Sequence, residues 1–257
     1  MKTLRLGKND VEIYDSIEDL PIMRFHKYNK MLLVDSGIGS DLADFDRHIE
    51  KAMQFVKNQS TSMAITELEN MRQNVYFIQS NLSPRCLAFA VLVTKINGEE
   101  CNDISDEALH KIVQRLGNVP IKELTAQLDA VKKKIDEELR LYFPQVFEDA
   151  TIKEYFDQLR RRTIVILQTV ISGETTEAQR KEIDNITGEL ITYFAPHNFI
   201  GSESAEIKHD KQFEKMCLLL SQNLHVDPKK FTVIEYYNAF EYMQEEAKRA
   251  KGQNKAK

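Results

Sequence analysis

A chain of 257 residues with 42% hydrophobic and 29% charged side chains has enough apolar material for one large domain or two small ones, which excludes a largely disordered protein. Its 9 glycines and 6 prolines are too few for an all-β protein built on tight turns, so long helices are expected. The net charge of −5 offers no general attraction for nucleic acid, although Lys248, Arg249, Lys251, Lys255 and Lys257 make the end of the chain basic and leave −10 on the rest.

Residues 2–14 read as a β-hairpin: Leu4 and Leu6 alternate with polar neighbours, Gly7-Lys8-Asn9-Asp10 turns, and Val11 and Ile13 resume the apolar pattern. A lone hairpin is marginal in water, so it must pack on helices or on a neighbouring subunit. Pro21 suits the first turn of a helix over 21–34 that ends at Asp35-Ser36-Gly37-Ile38-Gly39. Ser40 or Asp41 caps the next helix, which carries Leu42, Phe45, Ile49, Met53 and Val56 on one stripe. A third helix over 62–81 presents Ile65, Leu68, Met71, Val75 and Ile78. Pro84 opens the apolar run 86–93, read as a central core helix, with a buried strand as the alternative.

The polar stretch 97–103 reads as a subdomain boundary, after which Ser105 caps a helix that Gly117 ends. From 120 to 143, Ile121, Leu124, Leu128, Val131, Ile135 and Tyr142 keep heptad-like spacing, broken by Glu138. That stripe calls for a partner helix, from this chain or another. Residues 150–172 form a further helix with Ile152, Phe156, Leu159, Ile166 and Val170. Thr175 or Thr176 starts the next, which ends near Phe194. Residues 195–204 read as a linker to a small unit of two helices. The second of these opens with the capping box Thr232-Val233-Ile234-Glu235 and aligns Tyr236, Tyr237 and Phe240. The expected class is mainly α, a multi-helix bundle with a short N-terminal β-hairpin and a small C-terminal helical unit. Its divisions are 1–14, 15–97, 103–194, 205–250 and a disordered basic tail at 251–257. No fixed-period repeat is visible.

Cys86, Cys101 and Cys217 are odd in number and widely spaced, which fits free thiols in a reducing compartment and no zinc knuckle. Residues 1–10 lack the apolar core of a signal peptide, and the runs 86–93 and 164–167 are too short to span a bilayer. A cytoplasmic protein without membrane contact is expected. Phosphate-loop patterns are absent, and Gly37-Ile38-Gly39 reads as a helix–helix turn that needs positive φ. Ser36 has no recognisable base. His209-Asp210 and His225-Val226-Asp227 each bring two ligand types together but do not close a metal shell. No catalytic, metal or cofactor-binding residue is assigned, and no cofactor is expected. The Arg160-Arg161-Arg162 run points in directions about 100° apart on a helix and reads as a solvated face or internal salt bridges.

Two groups of residues stand out as contact surfaces. Ile121, Leu124, Leu128, Val131, Ile135, Tyr236, Tyr237 and Phe240 are candidate interface residues, with the tyrosines most simply read as core. Lys248, Arg249, Lys251, Lys255 and Lys257 are the candidates for an acidic partner or nucleic acid, and a solubilising tail is the plainer reading.

The stretch Ile17-Glu18-Asp19-Leu20-Pro21-Ile22-Met23-Arg24-Phe25-His26-Lys27-Tyr28-Asn29-Lys30 continues through Asp35-Ser36-Gly37-Ile38-Gly39-Ser40 to Phe45-Asp46-Arg47-His48. With Asp227-Pro228-Lys229-Lys230-Phe231-Thr232-Val233-Ile234-Glu235-Tyr236-Tyr237 it resembles virion-module proteins of crAss-like tailed bacteriophages. The turn before the last helix is also loosely similar to that of tail assembly chaperones. The first resemblance implies a structural protein of the particle, a helical ring or connector in the portal–tail region. It would work as a homo-oligomer against portal or tail proteins and be assembled in the host cytoplasm. The alternatives are a tail assembly chaperone absent from the virion and a nucleic-acid-binding regulator that uses the basic tail.

Overall fold

The computed structural model describes residues 1–80, 82–144, 150–193 and 195–254. It is mainly α, as expected, with one small antiparallel sheet. Strands β1 (Lys2–Leu6), β2 (Asn9–Ile13), β3 (Val93–Ile96) and β4 (Glu99–Glu100) lie in that order. The N-terminal hairpin is therefore not a free unit, because β2 pairs with β3, placing Val11 opposite Ile96. The stretch 97–103 is likewise no subdomain boundary. Asn97 and Gly98, at φ +52° and +85°, close a two-residue hairpin turn whose backbone twist matches that of the strands. Asn97 also accepts from the Asp10 N–H and donates to Asn9 Oδ1, both at 2.9 Å, which ties the two hairpin turns together.

Helix α1 (Ile22–Gly37) and helix α4 (Pro84–Leu92) pack side by side behind the sheet. Ala88, Phe89, Ala90, Val91 and Leu92 are almost completely buried, so α4 is the central core helix. α4 passes into β3 without a loop, and Arg24 of α1 makes that possible. Its guanidinium, 6% exposed, donates to the carbonyls of Val91 (2.7 Å), Val93 (2.9 Å) and Cys101, taking up carbonyls that the helix end leaves unpaired.

Helices α5 (Asp106–Arg115) and α6 (Ile121–Tyr142) close the other side of α4. Leu124, Leu128, Val131 and Ile135 are all at most 4% exposed within this chain's own core, whereas Ile121, at the helix start, is 54% exposed. The heptad-like stripe thus serves an intramolecular seam, and of its candidate interface residues only Ile121 stays open. Glu138, the interruption, accepts from the Ser16 hydroxyl (3.0 Å) and the Ile17 N–H (2.9 Å), so the break in the stripe caps the turn that leads into α1.

Helices α2 (Leu42–Lys57) and α3 (Thr61–Ser80) form a hairpin, as do α7 (Ala150–Ser172) and α8 (Glu177–Thr192). Asp41 caps α2, and Thr176 with Gln179 makes a capping box for α8. Among the described residues α7 and α8 pack chiefly on each other, so 103–194 is not one unit. α5 and α6 belong to the main core, which α7–α8 does not join among the described residues. Ile152 and Phe194 lie outside the residues whose side chains are described.

Helix α9 (Ala205–Leu224), capped by Ser204, and helix α10 (Val233–Asn254) complete the chain. They do not build a core of their own: Cys217, Leu220, Val233 and Tyr236 join the main cluster against α1. The predicted capping box is present, with the Thr232 N–H on Glu235 Oε2 at 2.8 Å. Backbone bonds from Ile22 N–H to the Phe231 carbonyl and from Val233 N–H to the Leu20 carbonyl, each 2.9 Å, lock the starts of α1 and α10 together. The two stretches that carry the phage resemblance therefore meet in space. The expectation of disorder from residue 251 is corrected as far as Asn254, because each residue added to an existing helix gains a hydrogen bond without a new nucleus. Lys255 and Lys257 lie outside the described residues.

Candidate functional site

Three features of the surface and its margins remain after the core is accounted for. The first is a concavity of about 340 Å³ between α1, α9 and α10, walled by Phe25, His26, His209, Phe213, Tyr236 and Phe240. Tyr236 is 7% exposed and stacks on Phe213 at 6.0 Å, while Tyr237 meets Phe143 at 5.3 Å and Phe25 at 6.5 Å. The aromatic stripe of α10 is thus mainly core, and Phe240 is half-buried at the rim.

At that rim His26 slides between two side chains one turn apart on α9. Its ring lies 4.4 Å from that of His209 and 4.1 Å from that of Phe213, nearly parallel to both. His26 Nε2 is 2.9 Å from Asp210 Oδ1, and Lys30 Nζ is 2.7 Å from the other carboxylate oxygen. Ligand atoms of His26, His209 and Asp210 all fall within 4.8 Å of one another. Sequence reading missed this cluster because His26 is 184 residues from Asp210. Parallel imidazoles cannot share one ion, since a metal about 2.0–2.1 Å from each nitrogen must lie close to both ring planes, and these planes are stacked. Lys30 also competes for Asp210. As it stands, the arrangement docks α9 on α1.

Burial pushes both imidazoles down, His209 to about 4 with further help from the neighbouring His26 and Lys30. Asp210 sits below its usual range: burial opposes this, but Lys30 and His26 outweigh it. A histidine whose folded pKa is depressed stabilises the native state above the unfolded value of about 6.5 and loses that contribution as pH falls toward 4. His209→Phe, which keeps the ring stack, is therefore expected to flatten the fall in melting temperature between pH 7 and 5. The effect should be on the order of 1 kcal/mol after allowance for solvent screening. Thermal melts of both proteins across that range measure it.

The second feature is a cleft of about 1010 Å³ between α2, α4, α5 and α6 that contains Asp35, Asp44, Arg47 and Arg85. Its arginines already have partners: Arg47 pairs with Asp44 at 2.6 Å, and Arg85 pairs with Asp129 and Asp35. Burial raises Asp35 to about 6 against the pull of Arg85. Ser36 Oγ donates to the Leu33 carbonyl at 3.0 Å, a bond within its own helix. Gly39 has the positive φ expected of the turn (+69°). Gly37 is instead required by close packing, because a Cβ there would stand 2.3 Å from the Phe199 ring.

The third feature is the orientation of α2–α3. Its apolar stripes do not face the core: Leu42 is 70% exposed, Met53 56%, Val56 65% and Ile65 52%, with Ile49 and Leu68 also exposed. His48, Glu67, Asn70 and Asn74 are turned inward and are at most 1% exposed. His48 Nε2 (2.8 Å) and Asn74 Nδ2 (3.2 Å) donate to the Ile38 carbonyl at the end of α1, and Asn70 Nδ2 donates to the His197 carbonyl (2.9 Å). His48 Nδ1 meets Glu67 Oε2 at 2.5 Å. The polar face faces inward because it satisfies the backbone where α1 ends and where the 195–204 segment crosses. On α7 the outer face is similarly open, with Phe156, Leu167, Val170 and Ile171 between 53% and 84% exposed.

The basic candidates divide. Arg249 pairs with Glu246 (2.8 Å) and Glu245 (3.5 Å) on its own helix, and Lys248 is exposed. The side chain of Lys251 and all of Lys255 and Lys257 lie outside the described residues. Of the arginine run, Arg161 bonds Glu182 and Arg162 bonds Thr187, linking α7 to α8. No helix among the described residues is long and apolar enough to cross a membrane. No family model, curated protein or solved structure matches this chain.

Proposed function

We propose that this chain is a structural or assembly component of a tailed phage particle, a helical ring or connector protein of the portal–tail region that works through protein–protein interfaces. The observation that carries the assembly part is the inverted mounting of α2–α3, with apolar side chains outward and a hydrogen-bonded polar set inward. Exposed contiguous apolar surface rimmed by polar residues is the mark of a surface that another protein covers. The outer face of α7 supports the same reading. The phage part rests on the sequence resemblance of the stretches around α1 and the start of α10. Quantitative mass spectrometry of purified particles from a producing culture tests it: a fixed, small-integer ratio to the portal protein is expected. Absence from mature particles would reject the ring or connector role and leave an assembly factor that departs before maturation.

A further inference from the structure

Six side chains on the outer face of α2–α3, Leu42, Ile49, Met53, Val56, Ile65 and Leu68, are between 36% and 70% exposed. The exposed apolar stripe is rotated from the buried stripe in the same sense on both helices, by about 100° on α2 and about 135° on α3, given about 100° per residue. The buried stripes face each other across the His48–Glu67 contact, and because the helices run antiparallel the common rotation brings both exposed stripes to one side of the hairpin. Together the six expose about 600 Å² of surface, at the upper end of the largest patch on typical monomers and close to the roughly 800 Å² per partner of a standard interface.

The charges beside this face are ordered. Asp46, Glu50 and Lys57 lie along one flank of the α2 stripe, all exposed, and none of them makes an ion pair among the described residues. The acids sit toward the N-terminal half of the helix and the lysine at its C-terminal end. When two copies of α2 run antiparallel across a two-fold axis beside Ala52 and Met53, like flanks face each other. Asp46 and Glu50 of one copy then lie beside Lys57 of the other, twice over. A parallel pairing would instead set this flank against the opposite flank of the partner helix, and these charges would not meet.

We propose that the α2–α3 face binds a second copy of this chain, α2 against α2 in antiparallel register, forming an isologous dimer. The inference rests on the assembly reading above and specifies its surface. The test is sedimentation equilibrium of the full chain. The wild type is expected to dimerise reversibly. Met53→Glu, at a position open to solvent in the single chain, is expected to weaken dimerisation at least 100-fold with an unchanged circular dichroism spectrum. Lys57→Glu should weaken it about 10-fold, and adding Asp46→Lys to that variant should restore it. Restoration in the same chain is particular to antiparallel self-pairing, because a foreign partner would not compensate. A wild type that stays monomeric at every concentration overturns the proposal. So does a dimer indifferent to Met53→Glu, or the absence of restoration in the double variant. Co-purification with particles, scored separately, decides whether the assembly reading survives such a failure.

Discussion

Replacing Arg24 with alanine is expected to destabilise the protein by about 4 kcal/mol, the largest single-residue effect on the α4–β3 side of the molecule. Three carbonyls, those of Val91, Val93 and Cys101, depend on one guanidinium that is 6% exposed. Each loses a charge-assisted bond worth about 1.5–3 kcal/mol, and no water reaches the site easily, although the losses do not add in full. Arg24→Lys should recover only part of this, costing about 2 kcal/mol, because an ammonium cannot span acceptors that a planar fork reaches at once. Arg24→Met isolates the polar contribution, since it keeps most of the hydrocarbon stem while leaving the carbonyls unpaired. Urea unfolding of the three variants should rank alanine and methionine well below lysine. A methionine variant within 1 kcal/mol of wild type would show that the fork is dispensable and that α4 turns into β3 without it.

The Arg24 contact also marks how far the sequence is legible. Helix positions, the Ser105 and Thr232 caps and the centrality of α4 follow from local rules that need only neighbours in the chain. The sheet was half legible. Asn97-Gly98 is a hairpin signal, yet its flanks Thr94-Lys95-Ile96 and Glu99-Glu100 are short and polar, so the stretch reads as a break. Arg24 sits among Ile22, Phe25 and Tyr28 on the buried face of α1, and nothing local says that its acceptors lie 67 to 77 residues away. The His26–His209 stack is hidden for the same reason. The α2–α3 hairpin shows where periodicity stops informing. Periodicity identifies which side of a helix is apolar, but the side that faces this chain's core was decided by Ile38 and His197 carbonyls that need donors. Of the deciding residues, Glu67, Asn70 and Asn74 are spaced three or four apart along a polar stripe of α3, and His48 meets Glu67 from α2. That second stripe was the available signal.

Breaking the buried His48–Glu67 pair is expected to cost about 3–5 kcal/mol, whereas replacing both partners should cost far less. His48 Nε2 points at a carbonyl, which only accepts, so that nitrogen carries its proton, and one further proton lies between Nδ1 and Glu67. Lys51 Nζ lies 3.8 Å from the other carboxylate oxygen. Glu67→Ala leaves an uncompensated imidazolium, or an unpaired nitrogen, at a site 1% exposed and opens a cavity beside it. Glu67→Gln can still donate to Nδ1 of the neutral ring and should lose about 1 kcal/mol. The double replacement His48→Leu with Glu67→Leu removes both polar groups together, and Asn74 still serves the Ile38 carbonyl, so it should fall within about 1.5 kcal/mol of wild type. Denaturant titration of the wild type, His48→Leu, Glu67→Leu and the double replacement closes a double-mutant cycle, and a coupling energy below 0.5 kcal/mol would contradict the pairing. The same double variant separates stability from orientation. With leucine at both inward positions the hairpin has two apolar faces, and turning the outer stripe inward no longer strands a charge. A folded double variant with weakened self-association would show that the polar pair holds the apolar face outward, where a second chain can reach it.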